Sequence, residues 1–456
     1  MDRLSPLDAA FLDAEDADPH ANLAIASVAI MEGPPPSHAE FASGIGTVIA
    51  AIPRARQRVR RVPWDLGLPV WVDDPHFDLD YHLRRTALPA PGDDAALHAL
   101  VARIMAQRLD RERPLWESWV IEGLSGDRWA VLTKVHHCMA DGVSGAQLLG
   151  MIFGATTAAP GGTPDQPTES EPGTARLLAG ALAGLVRYPV EQLGLLAGAL
   201  RSPARIASTI KGFAELAGAL RPAAPSSLTG PIGRARRYSV ARVSLPAVTE
   251  IAKARDVTVN DVALTAITIA LRTLLLHRGE RPDAHTVRTL VPVSVRAASD
   301  AGILDNRVSL LLPFLPVDIE DPVDALTVVH ERLRTAKASN EAEAGASLTE
   351  LAAHEPFGPL SATIRLAARL PQRNIVTVTT NVPGPREPLY VLGRKMVELL
   401  PYVPIAVRLR IGVAILSYCD NLTFGLTGDY DTAPDLDLLA ETIEKRIDEL
   451  SAHIGR

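Results

Sequence analysis

A stretch rich in proline, glycine, serine and threonine interrupts the chain at residues 158–175 (AAPGGTPDQPTESEPGTA). It has no apolar periodicity and is typical of a linker. An Ala/Leu-rich segment follows and ends at the breaker-rich residues 222–233. A chain of 456 residues is expected to form two or three domains at roughly 100–200 residues each. We therefore predict an N-terminal domain over residues 1–157, a linker with connecting helices over 158–233, and a C-terminal domain over 234–456.

Both long parts of the chain mix helical and strand patterns. In the first part, apolar residues recur at helical spacing over residues 95–108, and residues 129–135 form a short β-prone run. In the second part, Thr258 is a candidate N-cap for a long apolar helix over residues 257–276. Four strands and a final amphipathic helix are predicted at 287–295, 308–315, 375–382, 411–418 and 436–450. The fold class is therefore α/β, with mixed α+β layers in each part.

Charge and cysteine content limit the partners and the compartment. The formal net charge is −7, which argues against nucleic acid as a partner. Two cysteines, Cys138 and Cys419, cannot form a disulfide framework, so a reducing compartment is expected. The first residues carry acids and lack the apolar core of a signal peptide. We therefore expect a cytoplasmic protein.

The Ala/Leu-rich residues 176–220 raise the question of membrane contact. Their uncharged runs, 177–186 and 192–200, are shorter than the ~20 residues that a spanning helix needs. Four basic residues stand among the apolar ones, as in an amphipathic helix at an anionic membrane surface: Arg187, Arg201, Arg205 and Lys211. A helical hairpin packed between the two domains fits the same pattern. Both interpretations remain open.

The run His136-His137-Cys138-Met139-Ala140-Asp141-Gly142 follows the predicted strand directly. Successive side chains of a strand point to opposite faces, so the two histidines cannot share one role. Gly142 permits the chain to reverse into a helix predicted over residues 144–153. A neutral imidazole can take a proton from a hydroxyl, and a positioned base of this kind contributes about 10²–10⁴-fold. The run is the candidate catalytic site, with His136, His137 and Asp141 as its polar side chains.

Other interpretations of this run are weighed beside the catalytic one. A histidine pair at a strand end also suits a structural role. His and Asp four residues apart could ligate a metal on a helix, but Gly142 and the preceding strand disfavour that helix, so no metal site is predicted. Cys138 could be a nucleophile, but no cation or helix N-terminus stands near it in sequence, which favours a small buried residue. No serine elbow, P-loop or dinucleotide fingerprint is present, which disfavours a lipase-like hydrolase, a kinase and a dehydrogenase.

Three further polar groups stand in apolar surroundings. Asn260 and Asp261 lie at the start of the long helix, where a cap or first-turn partner is the structural alternative. Asn306 precedes a strand. The run from Thr379 through Asn381 to Pro383, Gly384 and Pro385 ends another strand in a rigid turn, because proline fixes φ and glycine supplies freedom.

The run from His136 to Gly142 resembles the HHxxxDG acyltransferases, and other segments narrow the resemblance to the bacterial wax ester synthase/diacylglycerol acyltransferase family. The matching N-terminal segments are SPLDAAFL at 5–12, FDLDYH at 77–82, LDR at 109–111 and RPLWE at 113–117. The matching C-terminal segments are VNDV at 259–262, PVSVR at 292–296, NRVS at 306–309 and NVPGP at 381–385. The resemblance covers nearly the whole chain.

This resemblance implies two chloramphenicol acetyltransferase-like domains with the histidine motif in a channel between them. His137 would be the general base, and Asp141 would hold its loop through an ion pair. From the second domain, Asn260 and the Asn381–Pro385 turn would line or brace the channel. Pro114, Leu115 and Trp116 would help to shape the acyl site. Asp261, Asn306 and Gly142 belong to the same set of candidate binding or structural residues.

The activity implied is transfer of a long-chain acyl group from acyl-CoA to the hydroxyl of diacylglycerol or of a fatty alcohol. Acyl-CoA is a co-substrate, and no cofactor is expected. Because diacylglycerol partitions into membranes, a peripheral protein on a membrane or a lipid inclusion is expected. Two alternatives remain: a condensation-type acyltransferase with a carrier-bound donor, and a non-catalytic lipid-binding or droplet protein of the same fold. The Pro114-Leu115-Trp116 element disfavours the first, and the intact histidine pair disfavours the second.

Overall fold

Two β-sheets and the helices packed on them carry the fold. The computed structural model describes residues 2–50, 52–139, 223–294, 308–338 and 374–453, with three isolated positions at 173, 175 and 178. The N-terminal half contains β1 (Asp2–Arg3), α1 (Pro6–Ala17), β2 (Ala24–Glu32), α2 (His38–Ala50), β3 (Gln57–Arg60), β4 (Val70–Asp73), α3 (Leu79–His82), β5 (Leu83–Ala87), α4 (Asp94–Ala106), β6 (Trp116–Leu124) and β7 (Arg128–His136).

The described C-terminal half has the same mixed composition. Its elements are β8 (Arg236–Ser244), α5 (Leu245–Ala254), α6 (Val259–His277), β9 (Val287–Ser294), β10 (Val308–Leu311), β11 (Phe314–Leu315), α7 (Pro322–Ala338), β12 (Thr377–Val382), β13 (Tyr390–Val391), β14 (Arg394–Tyr402), β15 (Ile411–Tyr418), β16 (Asn421–Asp429) and α8 (Leu436–Ala452). Of the helices and strands predicted within the described residues, all are found within a few residues of their expected bounds except the strand at 308–315.

That stretch, predicted as one strand, is broken into β10 and β11. Both pieces pair with β9 in a single antiparallel register, with Leu311 opposite Val291 and Phe314 opposite Arg288. Pro313 lies in the gap, and proline has no N–H to donate to a sheet ladder. Its carbonyl still accepts the N–H of Thr289 at 3.1 Å. The prediction of a continuous strand is therefore wrong, because a proline interrupts the ladder.

The sheets are ordered β13-β14-β2-β7-β6-β5 and β10-β9-β12-β15-β16-β8, and a small third sheet is β1-β4-β3. In the second sheet, β12 runs parallel to both of its neighbours. Helices α6 and α8 pack against this sheet and supply much of its apolar core. Helix α6 begins at a capping box, in which the Thr258 and Asp261 side chains each accept the other residue's backbone N–H.

The C-terminal half of the chain contributes two strands to the N-terminal sheet. β13 and β14 come late in the sequence, yet β14 pairs along its length with β2 and completes the N-terminal sheet. β14 also crosses β16 of the other sheet at Gly425, where a Cβ atom would lie 1.8 Å from the Pro401 carbonyl oxygen. Tyr238 Oη donates to the same oxygen at 2.7 Å. Glycine is required at 425 because the two backbones touch there.

Helix α6 is, within the described part of the chain, the one helix long and apolar enough to cross a membrane. Of its most apolar window, 72% is buried inside the protein. A core helix that is apolar on all sides has the same composition as a spanning one. Burial against the C-terminal sheet accounts for this composition.

Several predicted features fall outside the described residues. These are the helix at 144–153, the linker at 158–175 apart from two of the isolated positions, most of the connecting segment with its four basic residues, and the site residues Asp141, Gly142 and Asn306. The domain boundaries near 157 and 233 stay predictions.

Candidate active site

The histidine motif begins at the end of β7, in the interior of the N-terminal sheet between β2 and β6. The His136 N–H donates to Leu115 O at 2.9 Å, and the His137 N–H donates to Leu23 O at 3.0 Å. At His137 the strand gives way to a 3₁₀ turn that runs to Met139. The two histidines are therefore held by different neighbours and have different surroundings, as strand geometry predicts.

His136 is almost fully buried and faces a carboxylate. Its Nδ1 accepts the Cys138 N–H at 3.2 Å, which assigns the proton of the neutral ring to Nε2. Nε2 lies 3.6 Å from Glu15 Oε2. Burial, opposed by Glu15, lowers the pKa of His136. His136 is thus buried and neutral, with Nδ1 held by the Cys138 backbone and Nε2 facing the Glu15 carboxylate.

Glu15 belongs to α1 and was not among the residues predicted from the sequence. Its carboxylate is buried, accepts the Leu23 N–H at 3.0 Å and forms an ion pair with Arg111. Burial alone would raise the pKa of Glu15, but the adjacent His136 ring and the charge of Arg111 lower that pKa to about 2. A charged Glu15 therefore bridges Arg111 and the first histidine.

His137 is half-buried and stacks on Phe11 of α1, with ring centroids 4.0 Å apart and planes tilted by 35°. Burial, reinforced by the nearby His136, lowers the pKa of His137 to about 4. The imidazole is therefore uncharged at neutral pH, which is the form that can accept a proton from a hydroxyl. Of the two histidines, the accessible one is the second.

Phe11 joins the histidine to the other half of the chain. It packs on an apolar cluster that contains Leu23 from the N-terminal half and Ala406 and Val407 from the C-terminal half. Val407 has φ 49°, in the left-handed region, where a β-branched residue is a backbone outlier. Such strain is concentrated at functional sites. The ring that supports His137 thus lies at the junction of the two halves.

Pro114, Leu115 and Trp116 are all buried beside the motif. Leu115 supplies the carbonyl that holds His136. The Trp116 Nε1–H donates to Ala55 O at 2.8 Å, and its ring stacks on His82 at 4.5 Å. In the described structure this element fixes the end of β7, and its effect on the shape of the acyl site stays a prediction.

Two candidate residues of the second half contact each other. Asn381 at the end of β12 donates from Nδ2 to Asn260 Oδ1 at 3.1 Å. Asp261 caps α6 and also lies 2.8 Å from His330 Nδ1. Asn260 and Asn381 therefore brace each other, whereas Asp261 has the structural role that the sequence left as an alternative.

The Pro383–Gly384–Pro385 turn is pressed onto the end of β15. The Gly384 N–H donates to Ser417 Oγ at 3.0 Å, and a Cβ on Gly384 would lie 2.0 Å from Ser417 O. The Cys419 N–H donates to Pro385 O at 2.9 Å. The turn is rigid, as predicted, and its glycine is required by a close backbone approach.

Cys138 is a small buried residue, as the sequence favoured, and not a nucleophile. It is buried, and burial raises the pKa of its thiol well above the usual range, so no thiolate forms at neutral pH. Among the residues that the structure describes, no group of three or more His, Cys, Asp or Glu side chains could hold a metal ion. The described part of the motif thus offers a neutral imidazole at His137 and no thiolate.

Two family models and several named relatives match most of this chain. The sequence model of the wax ester synthase/diacylglycerol acyltransferase catalytic domain matches residues 4–263, and that of the WS/DGAT C-terminal domain matches residues 304–451. A probable diacylglycerol O-acyltransferase of Mycobacterium tuberculosis, tgs1, is 46% identical over 99% of this chain and 96% of its own length. A putative diacylglycerol O-acyltransferase of Mycobacterium bovis matches equally well.

Solved structures give the same result. The wax ester synthase/diacylglycerol acyltransferase from Marinobacter aquaeolei VT8 superimposes with a TM-score of 0.66 at 26% identity, over 100% of both chains. The starter condensation domain of rhizomide synthetase superimposes with a TM-score of 0.61 at 16% identity, over 100% of this chain and 94% of its own. At that identity the second match shows the fold alone.

The fold and the histidine site define a two-lobed acyltransferase of the HHxxxDG type. The chain belongs to the wax ester synthase/diacylglycerol acyltransferase family. The predicted family, the mixed α/β fold and the O-acyltransferase class are thereby confirmed.

Proposed function

We propose that this enzyme transfers a long-chain acyl group from acyl-CoA to the hydroxyl of diacylglycerol, giving triacylglycerol, or of a long-chain alcohol, giving a wax ester, with His137 as the general base. The observation that carries the proposal is the half-buried His137 ring, kept neutral at the end of β7 and supported by Phe11. The family match and the names of its relatives supply the substrate classes.

The proposed reaction needs no acyl-enzyme. His137 takes the hydroxyl proton as the alcohol oxygen attacks the thioester carbonyl carbon, and the C–S bond then breaks. The imidazolium returns the proton to the departing CoA sulfur, so the histidine is regenerated. The oxyanion needs a donor, either a backbone N–H or the Asn381 side. The Asn381 amide nitrogen carries two N–H groups, of which one bonds to Asn260.

The reaction is tested by offering diacylglycerol and hexadecanol in parallel to the purified protein with palmitoyl-CoA. We expect one CoA released per ester formed with at least one of the two acceptors, measured by thiol release and by chromatography of the lipids. Free acyl-CoA suffices as donor in this proposal. Lipid binding without CoA release would contradict it, and activity only with a carrier-bound acyl group would favour the condensation-type alternative.

Replacing Glu15 with glutamine is expected to lower kcat about ten- to hundredfold with little change in KM, because the His136 ring loses its charged partner and shifts. The substitution also leaves Arg111 without its buried counter-charge.

Because the pKa of Glu15 in the folded protein lies below its ordinary value of 4.5, the contribution of Glu15 to stability is full above that pH and is lost as pH falls toward 2.

Steady-state kinetics and acid unfolding of Glu15→Gln check both effects. Glu112→Gln is the matched control, because Glu112 is an exposed carboxylate that also pairs with an arginine, Arg58. We expect the control to behave like the wild type. An unchanged kcat in folded Glu15→Gln would remove the positioning role of Glu15.

The proposed location follows from the acceptor. Diacylglycerol is an oil that resides in membranes and lipid inclusions, so an enzyme that uses it must work at that surface. We propose a cytoplasmic protein that binds peripherally to a membrane or lipid inclusion, with no cofactor beyond its acyl-CoA co-substrate.

A further inference from the structure

The turn between β3 and β4 holds the most exposed large apolar side chain of the described residues. Trp64 is 80% exposed, whereas three other tryptophans, Trp71, Trp116 and Trp129, are buried in the core. Removal of an indole from water is strongly favourable, so a partner that covers Trp64 would gain binding free energy from it.

The backbone holds this indole outward. Trp64 has φ 56° and ψ 21°, and Asp65 has φ 51°, so two successive non-glycine residues are left-handed. A bulky residue rarely adopts this conformation, and it persists only where the surroundings impose it. The turn is closed by the Asp65 N–H, which donates to Val62 O at 3.1 Å, and it is tied to the N-terminus by the Leu4 N–H, which donates to Pro69 O at 2.9 Å. The tip is therefore built and rigid.

The small sheet behind this tip is basic in an acidic chain. Residues 54–73 contain five arginines and two aspartates, whereas the whole chain has a formal net charge of −7. Arg3 and Arg60 are both exposed, and both stand opposite Val70 in register, which places them on one face of the β1-β4-β3 sheet. Arg54, Arg58 and Arg61 form ion pairs with neighbouring acids. On the exposed face, Arg3 and Arg60 supply positive charge that is complementary to an anionic surface.

The tip is also connected to the histidine site. Arg61, three residues before Trp64, forms ion pairs with Asp13 and Asp16 of α1. The same helix carries Phe11, which stacks on His137. The segment that carries Trp64 is thus linked through Arg61 to the helix beside His137.

We propose that Trp64 is an interfacial anchor that inserts into the headgroup region of an anionic phospholipid surface, with Arg3 and Arg60 facing the lipid charges. Tryptophan is enriched at this depth because its ring is apolar and its N–H is polar. The anchor sets the catalytic centre at the surface that holds the acceptor, and in this respect the proposal depends on the proposed function.

The test measures binding of the full-length protein to vesicles of phosphatidylcholine and phosphatidylglycerol by flotation, with Trp64→Ser and Trp64→Gly beside the wild type. Loss of one buried indole is expected to weaken vesicle affinity about tenfold. Wild-type tryptophan emission shifts to the blue on binding, and neither variant shows this component. Glycine adopts positive φ freely, so Trp64→Gly keeps or raises the melting temperature while it loses lipid affinity, which a merely structural role would not produce.

Leu276→Ser is the matched control, because Leu276 is 47% exposed on α6 and has no place in the proposal. We expect its vesicle affinity to equal that of the wild type.

For Trp64→Ser, the KM for diacylglycerol in vesicles rises, whereas kcat with a dissolved short-chain alcohol does not change. Wild-type affinity in both Trp64 variants overturns the proposal. The proposal is also overturned if acrylamide fails to quench Trp64 fluorescence in the lipid-free protein, because another segment or a second copy of the chain then covers the indole. Failure of the wild type on every acceptor would refute the proposed function while leaving the vesicle result standing.

Discussion

Replacing His137 with alanine is expected to lower kcat by about 10²–10⁴-fold with palmitoyl-CoA and the preferred alcohol, while the fold is retained. The imidazole is the one titratable group of the described motif that is both neutral and accessible, since His136 is enclosed by Glu15 and Cys138. The residual rate of the variant then reflects binding and orientation of the two substrates. Steady-state kinetics on protein with a native circular dichroism spectrum gives the answer.

The pH profile of the wild type supplies an independent readout of the same residue. Because burial lowers the pKa of His137 to about 4, kcat/KM is expected to stay flat from about pH 8 down to about pH 5. Below that range the ring gains a proton and can no longer act as a base, so activity falls. An exposed histidine on α6, His277, provides the substitution control His277→Ala. Near-native turnover of His137→Ala would contradict the assignment of His137 as the general base. A kcat/KM profile that falls below about pH 6.5 would contradict it as well.

The second large effect is expected at the crossing of the two sheets. Gly425→Ala places a Cβ 1.8 Å from Pro401 O, so β14 must move off β16 and the Tyr238 hydrogen bond to that oxygen must lengthen or break. Overpacking of this kind costs about 3 kcal/mol of unfolding free energy when a backbone cannot give way. Activity is expected to fall as well, because β14 pairs with β2, and β2 pairs with β7 up to His136.

Urea-induced unfolding at equilibrium measures this loss. The matched control is Gly46→Ala in helix α2, where the added Cβ would meet Leu79 Cδ2 at 3.4 Å, an ordinary contact. Alanine is the better helix former, so the control is expected to be as stable as the wild type or slightly more stable. Equal unfolding midpoints for Gly425→Ala and the wild type would show that the crossing tolerates a side chain.

The sequence predicts local features of this molecule well, because they depend on residues close together in the chain. The period of apolar residues indicates α4, α6 and α8, and Thr258 with Asp261 marks where α6 begins. The sequence also identifies the histidine motif, since the spacing of its residues and its position after a strand are both local features. The break at Pro313 was equally local, and the lack of a proline N–H was available to predict it.

The rest depends on contacts between distant residues. Glu15 and Arg111 lie 96 positions apart and meet only in the fold, so no local pattern links either one to His136. An acid in an otherwise buried position of α1 was the one available signal for Glu15. Strand β14 was not predicted from the sequence, and its pairing with β2 could not have been, because pairing partners are not encoded in periodicity. Phe11 reads as a core residue until the structure places it on His137.

The pairing of β14 with β2 of the N-terminal sheet has a consequence for synthesis on the ribosome. When the nascent chain has delivered the histidine motif, β2 still presents an open edge, and it keeps that edge until residue 402 has emerged. An uncovered strand edge invites pairing with other chains. The last third of the polypeptide therefore covers a strand edge that the first third leaves open. A truncated product that carries the complete motif lacks the strand that closes its sheet.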